Sequence, residues 1–201
     1  MLQTNNVELI LRLCKRFNIA VDVGAYRGEF TTFSANMFSQ VYAFEPFIKS
    51  YDVLKENCAS YKNVILENIA LGEADKKSTM VYNDLYANCS RVKDFCDGTE
   101  NNEDFPGFTK KTFINSIDIN MKTLDSYNLP YIDFLKIDVE GYEVEVIKGA
   151  IKTLERTESG IIIFETFNMA RLQTIDSMLE YSNYYPIKKA TRYDYVYVKG
   201  I

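Results

Sequence analysis

The stretch Ile19-Ala-Val-Asp-Val-Gly-Ala-Tyr-Arg-Gly28 decides how this chain is read. Ile19 to Val23 is a short apolar run with one acid, the pattern of a strand buried on both faces. Gly24 to Gly28 is a turn. Glu29 to Phe38 then carries Phe30, Phe33 and Met37 on one helical face. A buried strand, a glycine-flanked turn and a helix in direct succession form the opening unit of a parallel α/β sheet.

Outward from that stretch the unit repeats. Val41 to Phe44 predicts a second strand, Phe47 to Tyr61 a second helix, and Val64 to Leu66 the start of a third strand. Farther on, Ile132 to Val139 predicts a strand. Gly141 to Leu154 predicts one helix, with Val144, Ile147, Ile151 and Leu154 on its buried stripe. Gly160 to Phe164 predicts a strand and Ala170 to Tyr181 a helix. Upstream, Val7, Ile10, Leu11, Cys14 and Phe17 recur at helical spacing, so an amphipathic helix is expected over about 5–17. At the other end, the alternation of Tyr and Val from Tyr193 to Val198 predicts a closing antiparallel edge strand. The rhythm breaks over about 77–120. There Thr79 to Tyr82 and Thr112 to Ile119 read as strands, and the polar run Asp94 to Lys111 as a long loop. The expectation is a single Rossmann-like α/β domain over 1–201. Its sheet is mostly parallel with helices on both faces and right-handed crossovers, and it carries that strand/loop insertion.

Composition narrows the function classes. The 201 residues include no histidine, and no two of the four cysteines form a C-x-x-C pair, so zinc sites and Cys/His or Ser/His catalysis lack essential parts. Cys14, Cys58, Cys89 and Cys96 are expected to be free thiols in a reducing cytoplasm, although the spacing of Cys89 and Cys96 would permit a disulfide. A net charge of −5 and the lack of a dense Lys/Arg run argue against general nucleic-acid binding. Glu8, Arg12, Lys15 and Arg16 interrupt the apolar start, so neither a secretory signal nor a membrane span is expected. Asn88-Cys-Ser90 fits the glycosylation pattern, which has no meaning without secretion. The tyrosines Tyr181, Tyr184, Tyr185, Tyr193, Tyr195 and Tyr197 resemble a stacking platform, but strand periodicity accounts for them more simply.

Two motifs carry chemistry. In an open α/β sheet a ligand lies at the carboxyl ends of the strands. At that end of the first strand stand Asp22, Gly24, Ala25, Tyr26 and Gly28; at that end of the second stand Glu45 and Pro46. Gly24 admits close approach of the backbone, and the amides and dipole after Gly28 face the same crevice. A carboxylate at Glu45 suits the two hydroxyls of a ribose. The turn is G-x-x-x-G rather than G-x-G-x-x-G, so the pyrophosphate cradle is incomplete. Asp22 beside it suits a cationic group, such as the amine of a methionyl moiety, better than a phosphate. Asn68, just past the third strand, is placed to reach an adenine edge or to form a turn. The second motif is Ile132-Asp-Phe-Leu-Lys-Ile-Asp-Val-Glu-Gly-Tyr-Glu143, where an apolar strand runs into Asp138 and Glu140. Acids such as Glu143 and Glu145 in a first helical turn need only complement the helix dipole. Asp138, at the end of an apolar strand, is aimed at the crevice.

In order, Asp22-Val-Gly-Ala-x-x-Gly28, Phe44-Glu-Pro46, Asn68-Ile-Ala-Leu71, Thr123-Leu-Asp125, Lys136-Ile-Asp-Val-Glu-Gly-Tyr-Glu143, Lys148-Gly-Ala150 and Phe164-Glu165 resemble the successive signatures of FkbM-type methyltransferases. The resemblance spans roughly residues 19 to 166. The chain departs from the family at Tyr26, where Asn is usual, and in the polar stretch Asp94 to Lys111. The resemblance implies a class I methyltransferase fold, S-adenosyl-L-methionine as cofactor, and methyl transfer, usually to a hydroxyl. The expected cofactor contacts are then Asp22, Gly24, Ala25, Tyr26, Gly28, Glu45, Pro46, Asn68 and Asp138. The acceptor is expected to be a small molecule or glycan-like. With no histidine, a base must come from Asp138, Glu140, Glu143 or Lys136, Asp138 first and Glu140 second. No metal is expected, since solvation accounts for the acids at the strand end more simply than coordination. Competing readings are N-methylation, a non-catalytic adenosyl-ligand scaffold, and a nicotinamide-dependent reductase, against which the incomplete glycine fingerprint speaks.

Overall fold

The computed structural model describes residues 13–82, 90–93, 115–166, 168–189 and 194–200. Residues 5–12 of the expected opening helix, the polar stretch 94–111, Cys89, Cys96 and Tyr193 lie outside them. The first strand, β1 (Ile19–Val23), is buried along almost its whole length and pairs in parallel with β2 (Gln40–Phe44) on one side and β8 (Phe134–Ile137) on the other. β3 (Val64–Glu67) extends the sheet beyond β2, and β9 (Gly160–Glu165) extends it beyond β8, both in parallel. The C-terminal pair closes the second edge. β11 (Asp194–Lys199) runs antiparallel to β9, and β10 (Tyr185–Lys189) antiparallel to β11. The seven-stranded order is therefore β10-β11-β9-β8-β1-β2-β3. The expected antiparallel strand is present, but it sits second from the edge, because β10 covers its outer side.

Alternation along the strands sends side chains to two faces. Ala20, Val41, Phe134, Ile161 and Ile163 face α1 (Glu29–Ala35) and pack with Phe30 and Ala35. Ala43 packs beside them with Leu54 and Cys58 of α2 (Ile48–Cys58). Val21, Val23, Leu135, Ile137, Ile162 and Phe164 face the other way. They meet Val144 and Ile147 of α3 (Glu143–Lys148), Leu154 of α4 (Ile151–Arg156), and Leu172, Ile175 and Leu179 of α5 (Met169–Tyr181). Tyr195 and Tyr197 stack on Phe164, which is the strand packing expected of the tyrosine-rich tail.

The single helix expected over 141–154 is two. It breaks at Gly149, where a Cβ would collide with the backbone carbonyl of Gly72. Asp125 stabilises the restart, accepting hydrogen bonds from the Lys152 and Thr153 amides at 3.1 and 2.8 Å.

The interrupted region forms a second sheet, in the order β4-β7-β5-β6. Its strands are β4 (Ala70–Leu71), β5 (Lys76–Tyr82), β6 (Ser90–Val92) and β7 (Asn115–Lys122). Ala70, Met80, Ile119 and Met121 pack on Phe47 and Tyr142, which flank the carboxyl ends of β2 and β8. Among the described residues no helix is long and apolar enough to cross a membrane.

Candidate functional site

One register row crosses the main sheet at its carboxyl edge. Glu67, Phe44, Val23, Ile137, Phe164 and Tyr195 are successive cross-strand partners. The next residue along each strand is Asn68, Glu45, Gly24, Asp138, Glu165 and Asp194 in turn. Four of the six positions on this second row are candidates from the sequence. β-sheet register, rather than any one loop, brings them into a line.

At the first strand the turn is tied to its neighbours. The Gly24 and Ala25 amides both donate to the Phe44 carbonyl at 3.0 Å, and the Asp138 amide donates to the Val23 carbonyl at 2.9 Å. Gly24 has φ 76°, and a Cβ there would strike the Asp138 backbone carbonyl. The meeting of two strand ends by itself thus requires glycine here, beside the close ligand approach that the sequence suggested. Gly28, with φ 93°, leaves room for Leu54 of α2, 2.7 Å from where its Cβ would stand.

Glu45 is buried, and both of its oxygens are engaged. Oε2 accepts from the Tyr26 amide and Oε1 from the Phe47 amide, each at 2.8 Å. Burial pushes its carboxyl up to about 7 against the pull of those two amides, with the Asp22 charge adding to the rise. Each oxygen keeps a lone pair for a further donor. Asn68 does not point away from this turn. Its amide donates to the Glu45 and Pro46 carbonyls at 2.8 and 3.1 Å, which fixes the turn from behind. Tyr26 holds a left-handed φ of 51°, a conformation that asparagine adopts more readily than tyrosine.

Asp22 is fully buried, with no surface toward solvent. Thr31 of α1 donates to its Oδ2 at 2.6 Å, and the Lys136 ammonium lies 3.3 Å from Oδ1. Asp22 and Lys136 are register partners on β1 and β8. The same ammonium reaches Asp138 Oδ2 at 3.4 Å, and Asp138 is about one-third exposed. Lys136 therefore bridges one hidden and one open carboxylate. Burial pulls its proton affinity down, but Asp22 and Asp138 together outweigh that and leave it above the ordinary lysine value. It is a fixed cation, unsuited to act as the base.

Glu140 follows Asp138 by two residues, at φ 54° in the turn before Gly141. Glu143 is not a solvated first-turn acid. It is buried, with Oε1 accepting from the Gly141 amide at 2.8 Å and Oε2 without a hydrogen-bond partner among the described residues. Burial pushes it up to about 8 against the Gly141 amide, its own amide and Arg171, with Asp138 adding to the rise. Glu145 pairs with Arg171 of α5 at 2.5 Å. Among the described residues no group of three or more His, Cys, Asp or Glu could hold a metal ion.

Sequence reasoning passed over Lys136 as a bridge, Thr31 as its companion, and Glu165. The signal for the first was present: one acid in β1 and one lysine in β8 stand alone in otherwise apolar strands. The signal for Glu165 is the one that singled out Asp138, an acid where an apolar strand ends.

The model of the methyltransferase FkbM domain matches residues 22–197. A methyltransferase FkbM from Methylobacillus flagellatus KT superposes with a TM-score of 0.61 at 16% identity, covering 90% of this chain. This chain spans 43% of that protein's length. The SMU.1697c protein of Streptococcus mutans, solved in complex with SAH, gives a TM-score of 0.51 at 12% identity and covers 98% of each chain. A SAM dependent methyltransferase from Aquifex aeolicus gives 0.50 at 13% identity, covering 97% of this chain and 88% of its own. These likenesses establish the fold as that of the class I methyltransferases. No protein with a curated description matches the sequence.

Proposed function

The chain belongs to the methyltransferase FkbM family, and from that premise we propose that it binds S-adenosylmethionine along the carboxyl-edge row and methylates a hydroxyl on a small-molecule or carbohydrate-like acceptor. The observation that carries this reading is the row itself, with Glu45, Gly24 and Asp138 on adjacent strand ends. The donor set suits a cationic nucleoside. Asp22, Glu45 and Asp138 lie around one ammonium, that of Lys136, which already bridges two of them.

Glu45 would accept the ribose hydroxyls, held ready by the Tyr26 and Phe47 amides. Ala25, Tyr26 and Gly28 supply the backbone of the turn that the ligand crosses. Pro46 and Asn68 hold the Glu45 turn in place. Asp138, the carboxylate open to the crevice, would face the ligand's ammonium. Asp22 acts one step back, by holding Lys136 in place. The sulfonium supplies an electrophilic methyl carbon and leaves as a neutral thioether. The protein's main contribution to such a reaction is alignment of the acceptor behind that carbon.

Calorimetry with S-adenosylhomocysteine tests the cofactor site. Binding is expected, and Glu45→Ala should weaken it roughly a hundredfold, since two hydrogen bonds to a charged group are worth about 3 kcal/mol or more. Unchanged affinity in the variant removes the ribose assignment. Product analysis with a labelled methyl donor separates transfer to oxygen from transfer to nitrogen.

A further inference from the structure

We infer that Glu165, on β9 beside Asp138, is the general base for the acceptor, taking the proton from a hydroxyl of an uncharged or cationic molecule. The inference rests on the methyl-transfer reading above and extends it to the far half of the row.

Glu165 ends β9 as Asp138 ends β8, and Asp194 of β11 is its direct register partner. The three strand ends thus continue the cofactor row toward the β11 side. Their carboxylates differ in what they already do. Asp138 Oδ2 is committed to Lys136 at 3.4 Å. The Glu165 carboxylate makes no hydrogen bond or ion pair among the described residues, and the residue is half-buried. Burial raises its proton affinity first, Asp138 and Asp194 raise it further, and positive charge, Lys136 included, only partly offsets them, leaving the carboxyl at about 7. A base poised near the working pH combines ready proton uptake with sufficient deprotonated fraction. Two neighbouring acids also repel an acceptor that carries a phosphate or carboxylate.

The step balances simply. The acceptor O–H bond breaks and its proton goes to a Glu165 oxygen, while the acceptor oxygen's electron pair forms the new O–CH3 bond. The C–S bond breaks with its pair remaining on sulfur, giving S-adenosylhomocysteine. The proton then leaves Glu165 for solvent.

The test is E165Q, followed in three ways. Calorimetry should show S-adenosylhomocysteine affinity within about twofold of wild type. Carboxyl 13C NMR should lose one resonance titrating near pH 7 in E165Q, and in D138N that resonance should titrate at lower pH. Methyl transfer from labelled donor to a panel of neutral sugars should fall at least about a hundredfold, the usual worth of a general base. Its acid limb should vanish with it, and the parent sugars should outrun their phosphate esters. Transfer within tenfold of wild type with the limb intact overturns the assignment. Preference for the phosphate esters overturns the acceptor class. A wild-type protein that does not bind S-adenosylhomocysteine, with Glu45→Ala no different, overturns the underlying reading and this inference together.

Discussion

At the scale of single residues, the site is built from groups whose surroundings, not their identity, set their task. Asp22, Asp138 and Glu165 are all acids of parallel strands near one edge. Asp22 is sealed against Thr31 and Lys136, Asp138 shares that lysine but is about one-third exposed, and Glu165 is half-buried beside Asp138 and Asp194. Gly24 shows how little freedom the junction has. A methyl group there meets the Asp138 carbonyl while the backbone holds φ 76°, so two penalties act at once. Gly24→Ala should therefore lose about 3 kcal/mol of stability in urea unfolding. It should also shift β1 against β8, read as weaker S-adenosylhomocysteine binding. A variant as stable as wild type would mean that the strand ends part easily and do not form a rigid floor.

At the scale of elements, helix boundaries follow packing more than periodicity. The apolar stripe from Val144 to Leu154 runs on without a gap, so the sequence predicts one helix. The break arises from a contact 77 residues away in sequence, where Gly149 packs against Gly72 between β4 and β5 of the second sheet. Asp125 then serves as a cap supplied in trans from the short 3-10 turn Leu124–Tyr127, accepting from Lys152, Thr153 and the Thr153 hydroxyl. Asp125→Ala should cost about 1–2 kcal/mol, the usual worth of a capping side chain. The lowered midpoint should appear in thermal or urea unfolding while S-adenosylhomocysteine binding persists. The Thr123-Leu-Asp125 signature thus has a structural account of its own.

At the scale of the whole molecule, three buried or half-buried carboxyls make stability depend on pH. Glu45, Glu143 and Glu165 are raised to about 7, 8 and 7 in the folded chain, against 4.5 when unperturbed. Between those limits the folded state holds more protons than the unfolded state, so their contribution is full below about 4.5 and is lost as pH rises toward 8. The urea midpoint of Glu143→Gln should therefore fall less than that of wild type between pH 5 and pH 8, roughly the interval in which a raised glutamate releases its proton. Equal slopes would show that Glu143 is ionised in the folded protein.

What the sequence determined by itself is the class of fold and the first half of the site. Short apolar strands alternating with amphipathic helices encode a parallel sheet, and acids and glycines at strand ends are legible because period and position are local properties. The edge place of β10, the break at Gly149, the sealing of Asp22 behind Lys136 and the different surroundings of Asp138 and Glu165 were decided only in the folded chain. Each depends on contacts between residues distant in the sequence. Burial and the charges of such neighbours set the properties of an ionisable group as much as its own chemistry does.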